Sequence, residues 1–280
     1  MISTWEDWLA SPSPRTQRLL HKQQTGHSHT ELLNARPVDD KADIRSAGGP
    51  GQSWATTGDE QAQPLADTIW AAVMRRRLRV EWPAGRGDGK CNHRRRDGTL
   101  CGATLDARGT HALTCNCGGG VDRRHNKIRD EVAGWLKDQG HEAVSTEQNV
   151  PHWQRTLANG VVEEARLDVT FRYGTVQLYA DVVVASPASV DEERARRNAA
   201  TDGAAADAAE KEKRRRYPHP ELCPLAVETL GRLGAVSQAF ARRWATRDPD
   251  KRAAAVSSFH RRVAAALQQH NGDMLVASAA

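Results

Sequence analysis

The spacing of apolar residues predicts a folded domain in the second half of the chain. Across residues 124–139 apolar side chains recur every three or four positions, which indicates a helix with one buried face. Gly140 follows this segment, and glycine is favoured in the left-handed position after a helix. Alternating or continuous apolar runs then predict three strands, over residues 143–150, 166–172 and 175–185.

Two further elements complete this pattern. Ser189 and Glu192 have the spacing of a capping box, and the Ala-rich segment that follows predicts a long helix to about residue 216. Another apolar run predicts a strand over residues 224–230. The order helix, strands, helix and strand predicts an α/β fold in which helices flank a central mixed sheet.

Outside this core the sequence predicts less regular structure. Residues 1–64 are rich in Pro, Gly, Ser and Gln, so we expect a mostly disordered, linker-like region with a short helix near residues 15–33. Residues 65–90 predict a basic amphipathic helix and a hinge, and the arginines of this helix either face solvent or contact phosphates. Residues 236–280 predict a C-terminal helical region, broken at Asp248–Pro249, and a frayed tail.

Four of the five cysteines lie within 27 residues, between the hinge and the α/β core. Thiolates and imidazoles are the ligands that a tetrahedral structural zinc ion prefers. We therefore predict a zinc-binding module at residues 91–120, with the ligands Cys91, Cys101, His111 and Cys115. Such a closed site leaves no position for water, so we expect it to stabilise the fold rather than to catalyse a reaction.

The sequence leaves the exact ligand set open. His93 or Cys117 could replace one ligand, and the structural alternative is a set of free thiols beside a histidine. A rigid module would present three consecutive arginines to the phosphates of a nucleic acid. These residues are Arg94, Arg95 and Arg96.

Overall charge agrees with a polyanionic partner but does not require one. The formal net charge is +5 and the sequence pI is about 9.1, which suits nucleic acid and also solubility alone. No apolar run is long enough to span a membrane, and the first residues lack the pattern of a secretory signal. We therefore expect a soluble, intracellular protein without membrane contact.

Two acidic residues lie within the predicted strands. Alternation places Asp168 on the face opposite the apolar residues Leu167 and Val169. Asp181 interrupts a nearly continuous apolar run, where a carboxylate is unfavourable without a metal or a partner.

The relation between these acids depends on the hairpin register. If the turn centres on residues 173–174, Asp168 lies opposite Tyr179, and Asp181 is its diagonal neighbour on the same face. The two carboxylates are then close enough to share a divalent cation. An odd-length turn without a bulge would place them on opposite faces.

These acids belong to a longer pattern. Asp168, twelve intervening residues, Asp181, and then Lys213 followed by Arg216–Tyr217 resemble the PD-(D/E)XK nuclease motif in the form found in site-specific non-LTR retrotransposons. In that form the lysine lies on a helix. The pattern departs from the family name at Leu167, where Pro is expected, and no lysine follows two residues after Asp181. Lys213 therefore has to take the lysine's role, with Lys211 as the alternative.

The upstream sequence resembles the same family. A Cys/His knuckle directly precedes the nuclease region, and Arg124–His125–Asn126 begins its first helix. The resemblance covers residues 85–235 and implies a restriction-endonuclease-like core at residues 121–235. Further candidate site residues are Glu147 as a metal ligand, His125 at the site or against DNA, and Arg124 as a nucleic-acid contact.

The resemblance implies a function as well as a fold. It implies a DNA-nicking endonuclease in which Asp168 and Asp181 bind Mg²⁺ and Lys213 assists the attacking water. The implied partner is DNA, with RNA as a second candidate, and a reverse transcriptase would be supplied elsewhere because the chain has no such motif. In a eukaryotic cell the implied location is nuclear. The alternatives are an inactive nucleic-acid-binding remnant of a retroelement and a structural protein with a metal-stabilised fold.

Overall fold

A four-stranded mixed sheet lies at the centre of the fold. The computed structural model describes residues 26–56, 65–81 and 89–278. In spatial order the sheet consists of β1 (Glu142–Asn149), β4 (Arg166–Tyr173), β5 (Val176–Ala185) and β6 (Leu222–Glu228). The pairs β1–β4 and β4–β5 are antiparallel, and β5–β6 is parallel. Two short strands, β2 (Arg155–Thr156) and β3 (Val162–Glu163), form a separate hairpin.

Helices pack on the sheet, and along the chain they lie before, between and after its strands. They are α1 (Val38–Ser46), α2 (Asp67–Leu78), α3 (Thr110–Thr114), α4 (Gly120–Asp138), α5 (Glu192–Ala200), α6 (Ala204–Arg216), α7 (Ala235–Trp244) and α8 (Pro249–Ser278). Residues 26–34 are also helical, and single helical turns occur at Gly49–Gln52, Ser53–Thr56 and Pro151–Trp153. In the described part of the chain, no helix has the length and apolar character needed to cross a membrane.

The predicted α/β class with a central mixed sheet is confirmed. The predicted strands lie within two residues of the observed ones, because alternation is a local property of the sequence. The single long helix predicted up to residue 216 is instead two helices, α5 and α6. They separate at Gly203, whose φ of +76° is a left-handed conformation that favours glycine.

The main hydrophobic core lies between the sheet and helices α4, α7 and α8. Trp135 of α4 contacts Phe259 of α8 edge to face, with ring centroids 5.0 Å apart, and Phe171 of β4 packs against Phe240 of α7. The C-terminal helices are therefore part of the same domain. The predicted C-terminal helical region, broken at Asp248–Pro249, is present as α7 and α8, but the predicted frayed tail is wrong up to residue 278, because α8 continues to Ser278 and buries Leu275.

A smaller apolar cluster lies on the other face of the sheet. Tyr179 of β5 packs into it, whereas its neighbour Ala180 lies in the main core, as alternation along a strand requires. Trp153 lies at the centre, 4.8 Å from the Tyr179 ring and stacked on His219 at 4.1 Å. Asp181 lies two residues after Tyr179 on β5, so alternation places it on this face as well.

The N-terminal segment packs on the domain. The Arg232 N–H donates to the carbonyl oxygen of Ser46 at 2.9 Å, and the Ser46 side chain is fully buried. The expectation of disorder is therefore wrong for residues 35–56, which lie in helices and turns, whereas the helical residues 26–34 agree with the short helix predicted near residues 15–33. The rest of that prediction, for residues 1–25 and 57–64, lies outside the described residues, as does most of the predicted hinge.

Arg76 of α2 and Arg79, which follows the helix, belong to a buried ionic cluster rather than to an exposed basic face. Arg76 donates to Asp43 at 2.6 Å, and Arg79 pairs with both Asp43 and Asp40 of α1. Arg108, from the cysteine-rich region, pairs with Asp40 as well. The arginines of this helix were predicted to face solvent or to contact phosphates. Neither applies to Arg76 and Arg79, because acids that are distant in sequence neutralise their charges in the interior.

We expect Asp43→Ala to destabilise the protein by about 3–5 kcal/mol, because it leaves buried Arg76 without its carboxylate. Asp39→Ala on the same helix is the matched control, since Asp39 is exposed. Urea unfolding of both variants measures the difference. Equal stability of the two variants would contradict the assignment of Asp43 to an ionic cluster that stabilises the fold.

Candidate metal site and carboxylate pair

Three cysteines and one histidine converge between the hinge and α4. The ligand atoms of Cys91, Cys101, His111 and Cys115 all lie within 4.8 Å of one another. The Cys115 Sγ is 3.7 Å from the Cys91 Sγ and 3.8 Å from the Cys101 Sγ. Zinc–sulfur bonds of about 2.3 Å in a tetrahedron place two sulfurs about 3.8 Å apart, so this cluster could bind a metal and is compatible with zinc.

Local turns bring these ligands together. Short β-bridges, Lys90 to Thr104 and Arg94 to Leu100, fold the chain around Cys91 and Cys101. The Asp106 carboxylate then accepts hydrogen bonds from the N–H groups of Arg108, Thr110 and His111, and so orients α3, which carries His111. A hydrogen bond from the Ala103 backbone lowers the pKa of Cys101 to about 7, which favours the thiolate that a metal needs.

Neither alternative ligand is part of the cluster. His93 packs against Gly118, and Cys117 contributes its backbone to a hydrogen bond with the Cys115 sulfur. Among the described residues, the four predicted ligands are the one group of three or more Cys, His, Asp or Glu side chains with metal-ligand spacing. The structure thus brings together the ligand set preferred from the sequence.

The arginines predicted to bind nucleic acid differ in their surroundings. Arg94, Arg95 and Arg96 are exposed, but Arg94 donates to the Gly98 carbonyl and Arg95 to the Leu100 carbonyl within their own turn. Arg124 is only 2% exposed, it donates to Asn271 at 2.8 Å, and burial lowers its pKa to about 10. The prediction of a nucleic-acid contact at Arg124 is wrong, because this side chain connects α4 to α8 in the interior.

We expect the chain to bind one zinc ion, and Cys115→Ser to abolish this stoichiometric binding, because it removes one of the four converging ligands. Cys117→Ser is the control and should retain the metal. Native mass spectrometry of the proteins purified with zinc measures the stoichiometry. Loss of zinc in the Cys117 variant alone would show that the ligand assignment is wrong.

The two candidate acids lie on neighbouring strands and face each other. The β4–β5 ladder pairs Thr170 with Tyr179 and Val169 with Ala180, and it ends there, next to Asp168 and Asp181. The predicted pairing of Asp168 with Tyr179 is therefore wrong by two residues. The two carboxylates are nevertheless close enough for each to affect the pKa of the other.

Asp168 is held by groups from α4 and β5. Its Oδ2 atom accepts a hydrogen bond from the Val182 N–H at 2.7 Å and lies 3.1 Å from Nε2 of His125. The same His125 nitrogen is 3.2 Å from the Val182 carbonyl oxygen. His125 is thus at the carboxylate pair, as the sequence suggested.

Asp181 is buried, and Lys213 of α6 is its counter-charge. The Asp181 side chain is 4% exposed, and its Oδ2 atom lies 2.7 Å from Lys213 Nζ. The two atoms are not oriented as a regular hydrogen bond, so among the described residues this buried oxygen has no hydrogen-bond donor of good geometry. Lys213, rather than the exposed Lys211, therefore occupies the position that the predicted mechanism requires.

Burial raises the pKa of Asp181 to about 6; the charge of Lys213 opposes this shift, and the neighbouring Asp168 adds to it. Burial also opposes ionisation of Asp168, but the hydrogen bond and charge of His125 outweigh this, and the net pKa of Asp168 is lowered. The same hydrogen bond raises the pKa of His125. The pair therefore combines one acid that ionises readily with one that ionises reluctantly.

Glu147 extends the row of acids across a third strand but is held away from it. The β1–β4 register places Glu147 opposite Asp168. Its carboxylate forms ion pairs with Arg129 of α4 and Arg166 of β4, and both arginines lower its pKa. In this arrangement Glu147 balances two arginines, and the structure does not place it as a third ligand beside Asp168 and Asp181.

Two buried glutamates that the sequence did not single out position Lys213. Glu228, at the end of β6, accepts hydrogen bonds from the N–H groups of Ala205 and Ala206 and so fixes the start of α6. Glu210, one turn before Lys213, accepts from the Val236 and Ser237 N–H groups at the start of α7. Their sequence context gave no signal, because glutamates are usually solvated.

We expect Asp181→Asn to stabilise the zinc-loaded protein at pH 7 in the absence of other divalent cations, because it removes a buried charge. A raised pKa means that the folded state holds the proton more tightly, so stability falls as pH rises from about 4 to 6. The gain should therefore be absent at pH 4 and complete above pH 6. Thermal unfolding of both proteins across this range measures it, and a gain independent of pH would contradict the assignment.

Comparison with known proteins does not place the chain in a family: no protein-family model matches it, and no curated protein matches it significantly. The thiolate cluster and the carboxylate pair are therefore the features from which a function is inferred. The retrotransposon resemblance enters it only as a proposal.

Proposed function

We propose that this protein is a metal-dependent DNA endonuclease of the restriction-like type, derived from a non-LTR retrotransposon. The observation that supports this most is the meeting of Asp168, Asp181 and Lys213, which come from two adjacent strands and a helix. Solvated strand acids and a surface lysine would have no reason to converge in a largely buried position. The cysteine cluster directly before α4 supports the proposal, since the resemblance includes a zinc knuckle there.

The carboxylate pair has the donor chemistry that Mg²⁺ requires. Mg²⁺ is a hard cation that binds carboxylate oxygens, and Asp181 offers a buried oxygen without a regular hydrogen bond. Two acids facing each other, one of them ionised reluctantly, form a site that a divalent cation would stabilise. Asp168 and Asp181 would hold the cation, which supplies Lewis-acid activation of water and neutralises charge on the phosphate.

The chain's own residues account for the remaining requirements of phosphodiester hydrolysis. Lys213 lies beside Asp181, where its ammonium group can orient the attacking water and stabilise charge on the phosphate. Glu228 at the start of α6 and Glu210, which contacts the start of α7, keep this lysine in place. His125 holds Asp168 in position from the side of α4. The expected product is a nicked DNA strand.

One observation favours a second candidate function. Glu147, the third acid of the row, is neutralised by two arginines, and Leu167 replaces the proline of the family motif. Both features agree with a site that has lost activity. In that case the protein would be a zinc-containing nucleic-acid-binding remnant that uses exposed arginines such as Arg96.

We expect the zinc-loaded protein to nick supercoiled plasmid when Mg²⁺ is added, and Asp181→Asn to reduce the rate at least about 100-fold. Removing a metal ligand should cost more than the 10- to 100-fold typical of outer partners. Lys213→Ala should reduce the rate by about 100- to 1000-fold, as for other charge-stabilising groups, whereas Lys211→Ala on the same helix should leave it unchanged. Gel electrophoresis separates nicked from supercoiled plasmid.

Absence of nicking in the wild-type protein, together with salt-sensitive DNA binding, would support the inactive remnant. Equal nicking by the wild-type and Asp181→Asn proteins would show that the acid pair is not the active site. Absence of both nicking and DNA binding would favour a structural protein.

A further inference from the structure

His125 is placed against the carboxylate pair by the beginning of α4. This helix starts at Gly120 after two glycines in the left-handed conformation, so the chain turns sharply between the cysteine cluster and the sheet. The turn directs the first part of α4 towards β4 and β5. Arg124 is buried against α8, and the next residue, His125, reaches Asp168 and the Val182 carbonyl.

The distances around Nε2 of His125 match the edges of a metal coordination shell. This nitrogen lies 3.1 Å from Asp168 Oδ2 and 3.2 Å from the Val182 carbonyl oxygen. Metal–ligand bonds of about 2.0–2.2 Å at right angles place neighbouring ligands about 3 Å apart. The nitrogen is therefore spaced from each of these two oxygens as one ligand of a cation is from its neighbour.

We propose that His125 is a ligand of the catalytic cation and that the site consequently prefers a transition-type divalent ion such as Mn²⁺ over Mg²⁺. The inference rests on the proposed function and specifies the metal chemistry of that site. Mg²⁺ and Ca²⁺ take oxygen ligands, whereas imidazole suits transition metals. A nitrogen in the ligand set therefore penalises the hard ions.

The ligand set on this side comprises Asp168, His125 and the Val182 carbonyl. The Asp181 carboxylate approaches Asp168 from β5 closely enough to affect its pKa, and it remains an acidic ligand of the proposed cation. Asp181 supplies negative charge to the cation on its own side, next to Lys213. The nitrogen ligand that determines metal selectivity, His125, thus comes from α4, and the negative charge of Asp181 comes from β5.

The test measures binding of Mn²⁺ to the zinc-loaded full-length chain without DNA. Mn²⁺ is titrated and the free ion is followed by electron paramagnetic resonance, and pulsed measurements of the bound ion detect coupling to a ligand nitrogen. Competition with Mg²⁺ gives the ratio of the two affinities. We expect the wild-type protein to bind Mn²⁺ more tightly than Mg²⁺ and to show the nitrogen coupling.

His125→Ala should weaken Mn²⁺ binding at least about tenfold and abolish the nitrogen coupling. His152→Ala is the matched control, because His152 is exposed and makes no contact with the acids, and it should bind Mn²⁺ as the wild type does. His125→Asp covers the case in which the alanine variant does not fold. It replaces the nitrogen by an oxygen ligand, and it should shift the preference from Mn²⁺ towards Mg²⁺.

The outcomes separate this inference from the proposed function. In one outcome Asp168→Asn loses Mn²⁺ binding, His125→Ala binds Mn²⁺ as tightly as the wild type, and the wild type shows no nitrogen coupling. The proposed role of His125 is then overturned, and the acid pair remains a metal site. If the wild-type protein binds no Mn²⁺ or Mg²⁺, or Asp168→Asn binds as tightly as the wild type, the metal site of the proposed nuclease is overturned as well.

Discussion

Burial of the Asp181 carboxylate beside Lys213 is the interaction on which the candidate site depends. A charged carboxylate in the interior of a sheet is unfavourable unless a cation compensates it. Lys213 can do so only because α6 crosses this face of the sheet at one position, which Glu228 fixes at its first turn and Glu210 fixes against α7. Helix caps far from the acids therefore determine the distance between the two charges.

The strands and the main helices were predictable because their signals are local. Alternation identified β4 and β5 and the faces of Asp168 and Asp181, whereas the exact register depends on where the turn forms. The turn lies at Gly174–Thr175, between the paired Tyr173 and Val176, one position later than the prediction. The two acids are neighbours in spite of this error, since each affects the pKa of the other.

Long-range pairings were not predictable from the sequence. Arg76 and Arg124 count as basic residues in any sequence window, and nothing nearby shows that Asp43 and Asn271 neutralise or bind them in the interior. The segments of α7 and α8 were predicted as helical, but a helical pattern does not say which surface of the domain the helix covers. The same limit applies to His125: its type suggested a role, and only the fold brings it to Asp168 and the Val182 carbonyl.

The ion pair between Arg108 and Asp40 has a consequence for the whole molecule. Arg108 lies in the loop between Cys101 and His111, so a metal that orders this loop also orders the partner of an acid in α1. Metal binding and docking of the N-terminal helices are then linked equilibria, and each raises the affinity of the other. A change in metal occupancy at the thiolates would thus alter the exposure of α1, a segment that contains no metal ligand.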